Sequence, residues 1–401
     1  MSPHEGGPPR VVAGLSVAQA RLGMRPQILC ADGAALGERG RYWEDHEPGF
    51  TAHALQSGCD GARGLLARRA ELRRWLEAHI GSYDLVHIHS LWRLVPTLAA
   101  QVAYEHGIPY LIAPHTAMSP WALAQKAPKK QLARWLVWNS VFRRARGFHA
   151  LNDFEAAEIR AVVGAAGPQV LVVPNGVSLD EFSGGSPGTA PPASLGQRTG
   201  LTEQTPFVLF LARLHVMKGP DLLLEAFARI ASRHPRLQLI FAGPDFGLLD
   251  RLRARSEQLQ LGARVRFPGM VTGAERLWLL RNAICLAQPS RDEGFSLSIL
   301  EGLAAARPVV ISDRCKFPEV AARGAGIIVP GDRVRIADAL EQYVRDPGKA
   351  EQDGARARLL IEQQYTWMAV GRRTQDMYER ALAPVGRPPR LTSEIGLGGP
   401  R

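Results

Sequence analysis

The chain has 401 residues, 46% of them hydrophobic and 22% charged, with a formal net charge of +11 at pH 7. That length exceeds one small core and fits two domains of ordinary size with globular composition. No apolar run is long enough for a transmembrane helix, and the first residues (MSPHEGGPPR) lack the apolar core of a signal peptide. The four cysteines, Cys30, Cys59, Cys285 and Cys315, are far apart and form no CxxC pair. That argues against a zinc site or a disulfide framework and fits a reducing cytosol.

In chain order, PQILC (26–30), DLVHIH (84–89), PYLIAP (109–114), GFHAL (147–151) and QVLVV (169–173) read as buried strands of a first half. Between them, Trp121 to Arg146 holds seven Lys/Arg and no acid, interleaved with Trp121, Trp135, Trp138 and Phe142. This is either one solvated face of a surface helix or a helix on anionic lipid headgroups; no RNA-binding module accompanies it. Residues 183–200 contain eleven Gly, Pro or Ser in eighteen and read as an interdomain linker. A second half follows with PFVLFLA (206–212), LQLIFA (237–242), RVRF (264–267), AICLAQ (283–288), PVVIS (308–312) and GIIV (326–329) as strands. Helical periodicity fills the gaps, for example at 221–234 and 250–261, and a last helix spans 366–382 before a Gly/Pro-rich tail. Such alternation predicts α/β architecture with parallel, doubly wound sheets and right-handed crossovers. Two such domains enclose a cleft along the carboxyl ends of their strands, so reactive groups should follow strands.

Two loops do. After AICLAQ, Gly294-Phe295-Ser296 predicts a tight turn opening a helix from about Ser298 to Ala305. Free N–H groups and the dipole at such a start attract an anion. Glu301, one turn in, and Glu293, just before, are then suited to sugar hydroxyls, although alone they fit equally a capping acid and a surface acid. After PFVLFLA, Arg213 and Lys218 flank a loop closed by Gly219-Pro220, a diphosphate clamp or merely surface charge. Both loops belong to one domain and one sheet edge, and both suit phosphate.

The RLxxxKG element (Arg213 to Gly219), PNGV (Pro174 to Val177), FxGxV (Phe267 to Val271) and E-x7-E (Glu293 to Glu301) occur in one chain in this order. Together they resemble the retaining GT-B glycosyltransferases of group 1 (family GT4), and MSPWALAQKAPKK (118–130) resembles members of bacterial polysaccharide assembly. The resemblance implies a GT-B fold. Its expected parts are an acceptor-binding Rossmann-like domain (1–182), the linker (183–200) and a nucleotide-sugar-binding domain (201–365). A helix returning to the first domain (366–383) and a disordered tail (384–401) complete it. It implies Glu301 on the ribose, Glu293 and His115 at the transferred sugar, and Arg213, Lys218, Gly294, Phe295 and Ser296 at the diphosphate. The backbone near Met270 and Val271 would approach the nucleobase, and Gly6 and Gly7 the donor phosphate and acceptor. His87 and His89 share a strand face, a spacing suited to metal, but no third ligand has a recognisable spacing. His87 reads as structural, and His89 with Trp92 as candidate acceptor-side residues.

The expected activity is transfer of a sugar from a nucleotide-diphosphate sugar to a glycan or lipid-linked hydroxyl, with retention and without a metal or other cofactor. The expected location is the cytoplasm, peripheral on the inner membrane face through residues 121–146, with no nucleic-acid partner. A nucleotide-sugar 2-epimerase or a non-catalytic scaffold are the alternatives. Two departures stand out. Ser178 replaces the Asp common after NGV, and the family's first strand, which precedes the Gly-rich loop, is missing before Gly6. The second is expected from a start assigned too late or a truncated product.

Overall fold

The computed structural model describes residues 7–30, 51–54, 62–125, 127–184 and 189–383. All eleven apolar runs form strands. In the first half these are β1 (Gln27–Cys30), β3 (Val86–His89), β4 (Tyr110–Ala113), β5 (Gly147–Ala150) and β6 (Gln169–Val172). A strand not expected, β2 (Thr51–Ala54), pairs with β1. The second half contains β7 (Phe207–Leu211), β8 (Gln238–Ala242), β9 (Val265–Gly269), β10 (Cys285–Gln288), β11 (Val309–Ser312) and β12 (Gly326–Val329). Every ladder among the described residues is parallel. The first half divides into a β1–β2 pair and a sheet ordered β3-β4-β5-β6, with no ladder joining β1 to β3 among the described residues.

The second sheet is ordered β12-β11-β10-β7-β8-β9. Its order reverses between β7 and β10, and at such a switch point the flanking crossovers diverge and leave a crevice at the strands' carboxyl ends. Alternation along β7 and β8 builds a core on each face. Leu209, Leu211, Ile240 and Ala242 pack to one side, and Val208, Phe210, Leu239 and Phe241 to the other. β7 is buried throughout, so both faces need apolar side chains and the strand reads as a continuous apolar run.

The last helix, Trp367–Leu382, returns to the first half and lies along the helix Gly7–Arg21. A Cβ on Gly14 would fall 2.3 Å from the Trp367 ring, so the backbone itself is the packing surface there. Arg146 donates to the carbonyl of Ala381 at 2.7 Å, and Gln19 to the hydroxyl of Tyr378 at 2.8 Å. The tail from 384 and Gly6 lie outside the described residues.

Two expectations change. The segment 183–200 is not linker throughout, because Ala193–Thr199 is a helix ended by Gly200 in the left-handed region (φ 68°). Leu195 and Leu201 sit in the second domain's core, and two leucines among so many Gly, Pro and Ser were a weak signal. The basic stretch is helical as expected but not regular: a short helix, Pro120–Ala124, precedes an unbroken helical run over 127–144 that contains a π turn at Arg134–Trp138. The π turn carries Trp138 inward with Phe142, both 3% exposed, leaving Leu132, Trp135 and Leu136 outside. No described helix is long and apolar enough to cross a membrane.

Under the first sheet's carboxyl edge lie His87, His89, His115 and His149. Burial, with His149 and His115 adding to the effect, holds His87 well below the usual imidazole range. Burial likewise lowers His115 to about 3 and His149 to about 4, against an ordinary 6.5. The Val173 carbonyl can only accept, so the neutral His149 donates to it from Nε2 (2.7 Å) and accepts at Nδ1. His87 therefore donates from Nε2 to His149 (3.2 Å), and its Nδ1 accepts from the Tyr378 hydroxyl (2.7 Å). Lowered imidazole pKa values mean that the unfolded chain takes up protons the native state refuses. Stability should therefore fall as pH drops from about 6.5 toward 5, above the main carboxylate range. Thermal melts at pH 7, 6 and 5 check this, and a flat melting temperature would contradict a buried neutral cluster.

Candidate active site

β10 ends at Gln288, whose side chain organises the following turn. Its Oε1 accepts from the hydroxyls of Ser296 (3.1 Å) and Ser298 (2.8 Å), and its Nε2 donates to Ser290 Oγ (3.1 Å) and Glu293 Oε2 (2.9 Å). Ser296 is the N-cap residue of the helix Leu297–Ala304, yet its hydroxyl bonds Gln288 and makes no capping bond. The first N–H groups of that helix thus lack an intrahelical partner or a side-chain cap, as an anion site requires. Phe295 packs on Phe317 and Tyr365 at centroid distances of 5.1 and 5.9 Å, fixing the turn from beneath.

Gly294 is required by proximity: a Cβ there would lie 1.8 Å from the methyl of Thr116, a residue of the other domain. Asn152, also from that domain, donates to the Gly294 carbonyl at 2.7 Å. Lys316 adds a second tie, pairing with Glu158 across the divide at 2.8 Å and with Asp292 at 2.9 Å.

The carboxylates are held by cations. Glu301 is 3% exposed, and its Oε1 meets Arg276 at 2.7 Å and Arg10 of the Gly7–Arg21 helix. Arg276 also pairs with Glu181. Glu293 pairs with Lys218, which stands at the end of the 3-10 turn Val216–Lys218 after β7. Gly219 follows at φ 68°, and a Cβ there would lie 2.0 Å from the Pro289 carbonyl, so the β7 and β10 loops touch through backbone. Arg213 is exposed, with its guanidinium 5.0 Å from the Phe246 ring centroid. Partial burial, then Arg213 and Lys218, hold His215 below the ordinary imidazole range, which marks the loop as locally electropositive. Val271 is a core side chain at the mouth of β9, leaving its backbone as the polar surface.

From the first domain, Gly7 opens its helix with a Cβ position 3.9 Å from Leu297, so two helix N-termini converge. His115 and Thr116 follow β4 with φ values of 50° and 64°, a turn that non-glycine residues adopt at a cost. Buried Glu155 holds this turn, accepting from the Thr116 N–H at 2.6 Å and from Leu151 N–H at 2.8 Å. Its carboxyl is raised by desolvation, against which those two N–H groups act. His89 Nδ1 lies 2.8 Å from His115 Nε2. Trp92 turns its ring onto Trp138 and Phe142 (5.4 and 6.3 Å) and its N–H to the Ala117 carbonyl (3.4 Å), so it serves packing.

Contacts link Gly7, His89, His115, Lys218, Glu293, Gly294 and Glu301 with their partners around the seam between the domains, whereas Arg213 follows β7 on the loop of Lys218, Val271 is a core residue and Trp92 belongs to the aromatic cluster. Arg10, Arg276, Gln288, Asn152 and Glu155 were not anticipated. The one available signal was Glu301 within an apolar helix, since a buried carboxylate demands cations; which of 49 basic residues supply them is a matter of tertiary structure.

Residues 195–360 match the family model for glycosyl transferases group 1, and residues 6–176 that for the glycosyl transferase 4-like domain. D-inositol 3-phosphate glycosyltransferase of Kineococcus radiotolerans is 31% identical over 348 residues, 81% of this chain and 76% of the relative. The same enzyme of Actinosynnema mirum is 30% identical over 309 residues, 73% and 70% of the two chains. Among solved structures, Anabaena Alr3699/HepE in complex with UDP and glucose superposes with a TM-score of 0.74 at 20% identity, covering 94% of this chain and 97% of that one. Sucrose-phosphate synthase from Thermosynechococcus elongatus gives 0.70 at 22%, covering 94% and 93%. With its parallel two-domain architecture and this cleft, the chain belongs to the group 1 glycosyltransferases (family GT4) and has the GT-B fold.

Proposed function

We propose that this glycosyltransferase moves a sugar from a nucleotide-diphosphate sugar to a hydroxyl of a glycan or lipid-linked acceptor, with retention of configuration, in cell-surface polysaccharide synthesis. One observation carries the donor assignment. Two helix N-termini, Lys218 and Arg213 lie at the switch point of the second sheet, beside two acids otherwise unsuited to a phosphate site. In this reading the fixed cations and N–H groups take up the charge that grows on the departing diphosphate, and no metal or other cofactor is needed. Glu301 receives the ribose hydroxyls. Glu293 and His115 hold the sugar from opposite domains, with the acceptor entering on the leaving-group face. The ties through Gly294, Asn152 and Lys316 keep water from the reacting centre.

The acceptor has two readings. The curated relatives bear the name D-inositol 3-phosphate glycosyltransferase, which favours a phosphorylated cyclitol. The exposed Leu132, Trp135 and Leu136 beside exposed Lys129, Arg143 and Arg144 favour an acceptor at an anionic membrane, on its cytoplasmic face. We adopt the second; a structural neighbour, WaaG, is described as involved in lipopolysaccharide biosynthesis.

Nucleotide release from UDP-, GDP- and ADP-sugars, with membrane extract or inositol 3-phosphate as acceptor, tests the whole. No release under any combination would sink the transferase reading for this chain, and a product formed without acceptor would favour an epimerase. Glu301→Gln should weaken donor binding about 10- to 100-fold, the loss of charge-assisted bonds to a diol. Arg10 is half exposed, so its pair with Glu301 is worth only about 0.2–1 kcal/mol. Because a ribose must displace it, Arg10→Ala should tighten donor binding by no more than about fivefold; weakened binding would show that Arg10 holds the donor instead. Trp135→Ser with Leu136→Ser should lower partition onto phosphatidylglycerol vesicles about tenfold or more while leaving the melting temperature unchanged. Unchanged sedimentation with vesicles would remove the membrane reading.

A further inference from the structure

His89 Nδ1 and His115 Nε2 are 2.8 Å apart, and the two rings lie edge to edge and nearly coplanar, with centroids 5.1 Å apart and an interplanar angle of 20°. Two neutral imidazoles at that distance share one hydrogen bond, so the tautomer of one dictates the tautomer of the other. Among the described residues, Nε2 is the ring nitrogen of His115 with a hydrogen-bond partner. Nδ1 is the nitrogen left for a ligand.

The two rings are not equally free. His89 lies with its ring centroid 4.2 Å from that of His87, and His87 is held at both nitrogens by Tyr378 and His149. The far end of that chain is anchored on the Val173 carbonyl and on Gln19. His89 is thus braced by a ring that cannot turn without breaking two hydrogen bonds. His115, by contrast, stands on a left-handed turn closed by the Ala117 N–H on the Pro114 carbonyl at 3.2 Å and tied at Thr116 by Glu155, and among the described residues its ring has its hydrogen bond with His89.

We propose that His89 is a positioning residue for His115: its Nδ1 fixes the ring plane and tautomer of His115 and so leaves Nδ1 of His115 as the atom offered to the donor sugar. It is therefore not an acceptor-binding residue. The inference rests on the reading of His115 as a residue at the sugar, and it deepens that reading by naming what sets the imidazole's hydrogen-bonding sense. It also gives the returning C-terminal helix a part in the site, because Tyr378 of that helix fixes His87, against which His89 rests.

The test uses the full chain carrying isotope-labelled histidine, with ring tautomers read by long-range nitrogen–proton NMR. The wild-type His115 should show a single neutral tautomer. His89→Leu should leave it averaged between two forms, whereas His89→Asn, whose amide places a polar atom where Nδ1 stood, should restore the single form. An unaltered His115 signature in His89→Leu overturns the proposal, and so does a His89→Asn variant that behaves like His89→Leu. Turnover separates this from the donor reading. With the sugar nucleotide that the panel identifies, His89→Leu should lower kcat roughly 10- to 100-fold at unchanged KM. His89→Asn should stay within about twofold of the wild type by the same principle. If His115→Ala leaves turnover intact while His89→Leu still averages the His115 tautomer, the reading of His115 at the sugar fails and the positioning contact stands.

Discussion

The site depends on a contact that leaves no room for a side chain: Gly294, at the head of the turn after β10, against Thr116 of the opposite domain. A Cβ cannot sit 1.8 Å from the Thr116 methyl carbon, so any other residue would turn Thr116, push the domains apart or distort the turn. Everything reactive is referred to this point. Asn152 bonds the Gly294 carbonyl, His115 precedes Thr116, and Glu293 precedes Gly294. Closeness of backbones lets groups from two sheets act on one small molecule.

Electrostatics make the same arrangement intelligible in a basic protein. Acids at the cleft are not surplus; each is matched to a cation, Glu293 to Lys218 and Glu301 to Arg276 and Arg10. Arg276 is shielded and has Glu181 as a second partner, whereas Arg10 is half exposed. A nucleotide-diphosphate sugar brings both an anion and a set of hydroxyls. The anion suits Lys218, Arg213 and the helix N-termini, and the hydroxyls suit the acids. A site of cations alone would bind phosphate without selecting what is attached to it.

Much of this was legible. Strands such as β4, β7, β10 and β11 show as apolar runs because parallel strands buried on both faces cannot alternate. β2, TAHA, was not, since four short residues with a central histidine carry no such signal. The helix Ala193–Thr199 hid among residues that favour turns, and only burial of Leu195 explains it. In the basic stretch, composition could not say that the π turn would carry Trp138 inward and leave Trp135 out, because one extra residue per turn rotates the face by most of a side-chain position. The glycines and acids of the donor turn were readable as a motif, yet Gln288, which organises that turn, was an ordinary polar residue at a strand end.

By itself the sequence determined the periodicities, hence two doubly wound domains, and the order of charged and glycine residues just after strands, hence the loops that carry the polar groups. Those properties are local, set by side-chain alternation and backbone freedom within a few residues. Tertiary structure decided which residues, far apart in the chain, meet. Arg10 reaches Glu301 across 291 positions, His89 reaches His115 across 26, and Tyr378 reaches His87 across 291. Hydrogen bonds and ion pairs act over about 3 Å, and no spacing along a chain encodes that proximity until the domains have packed.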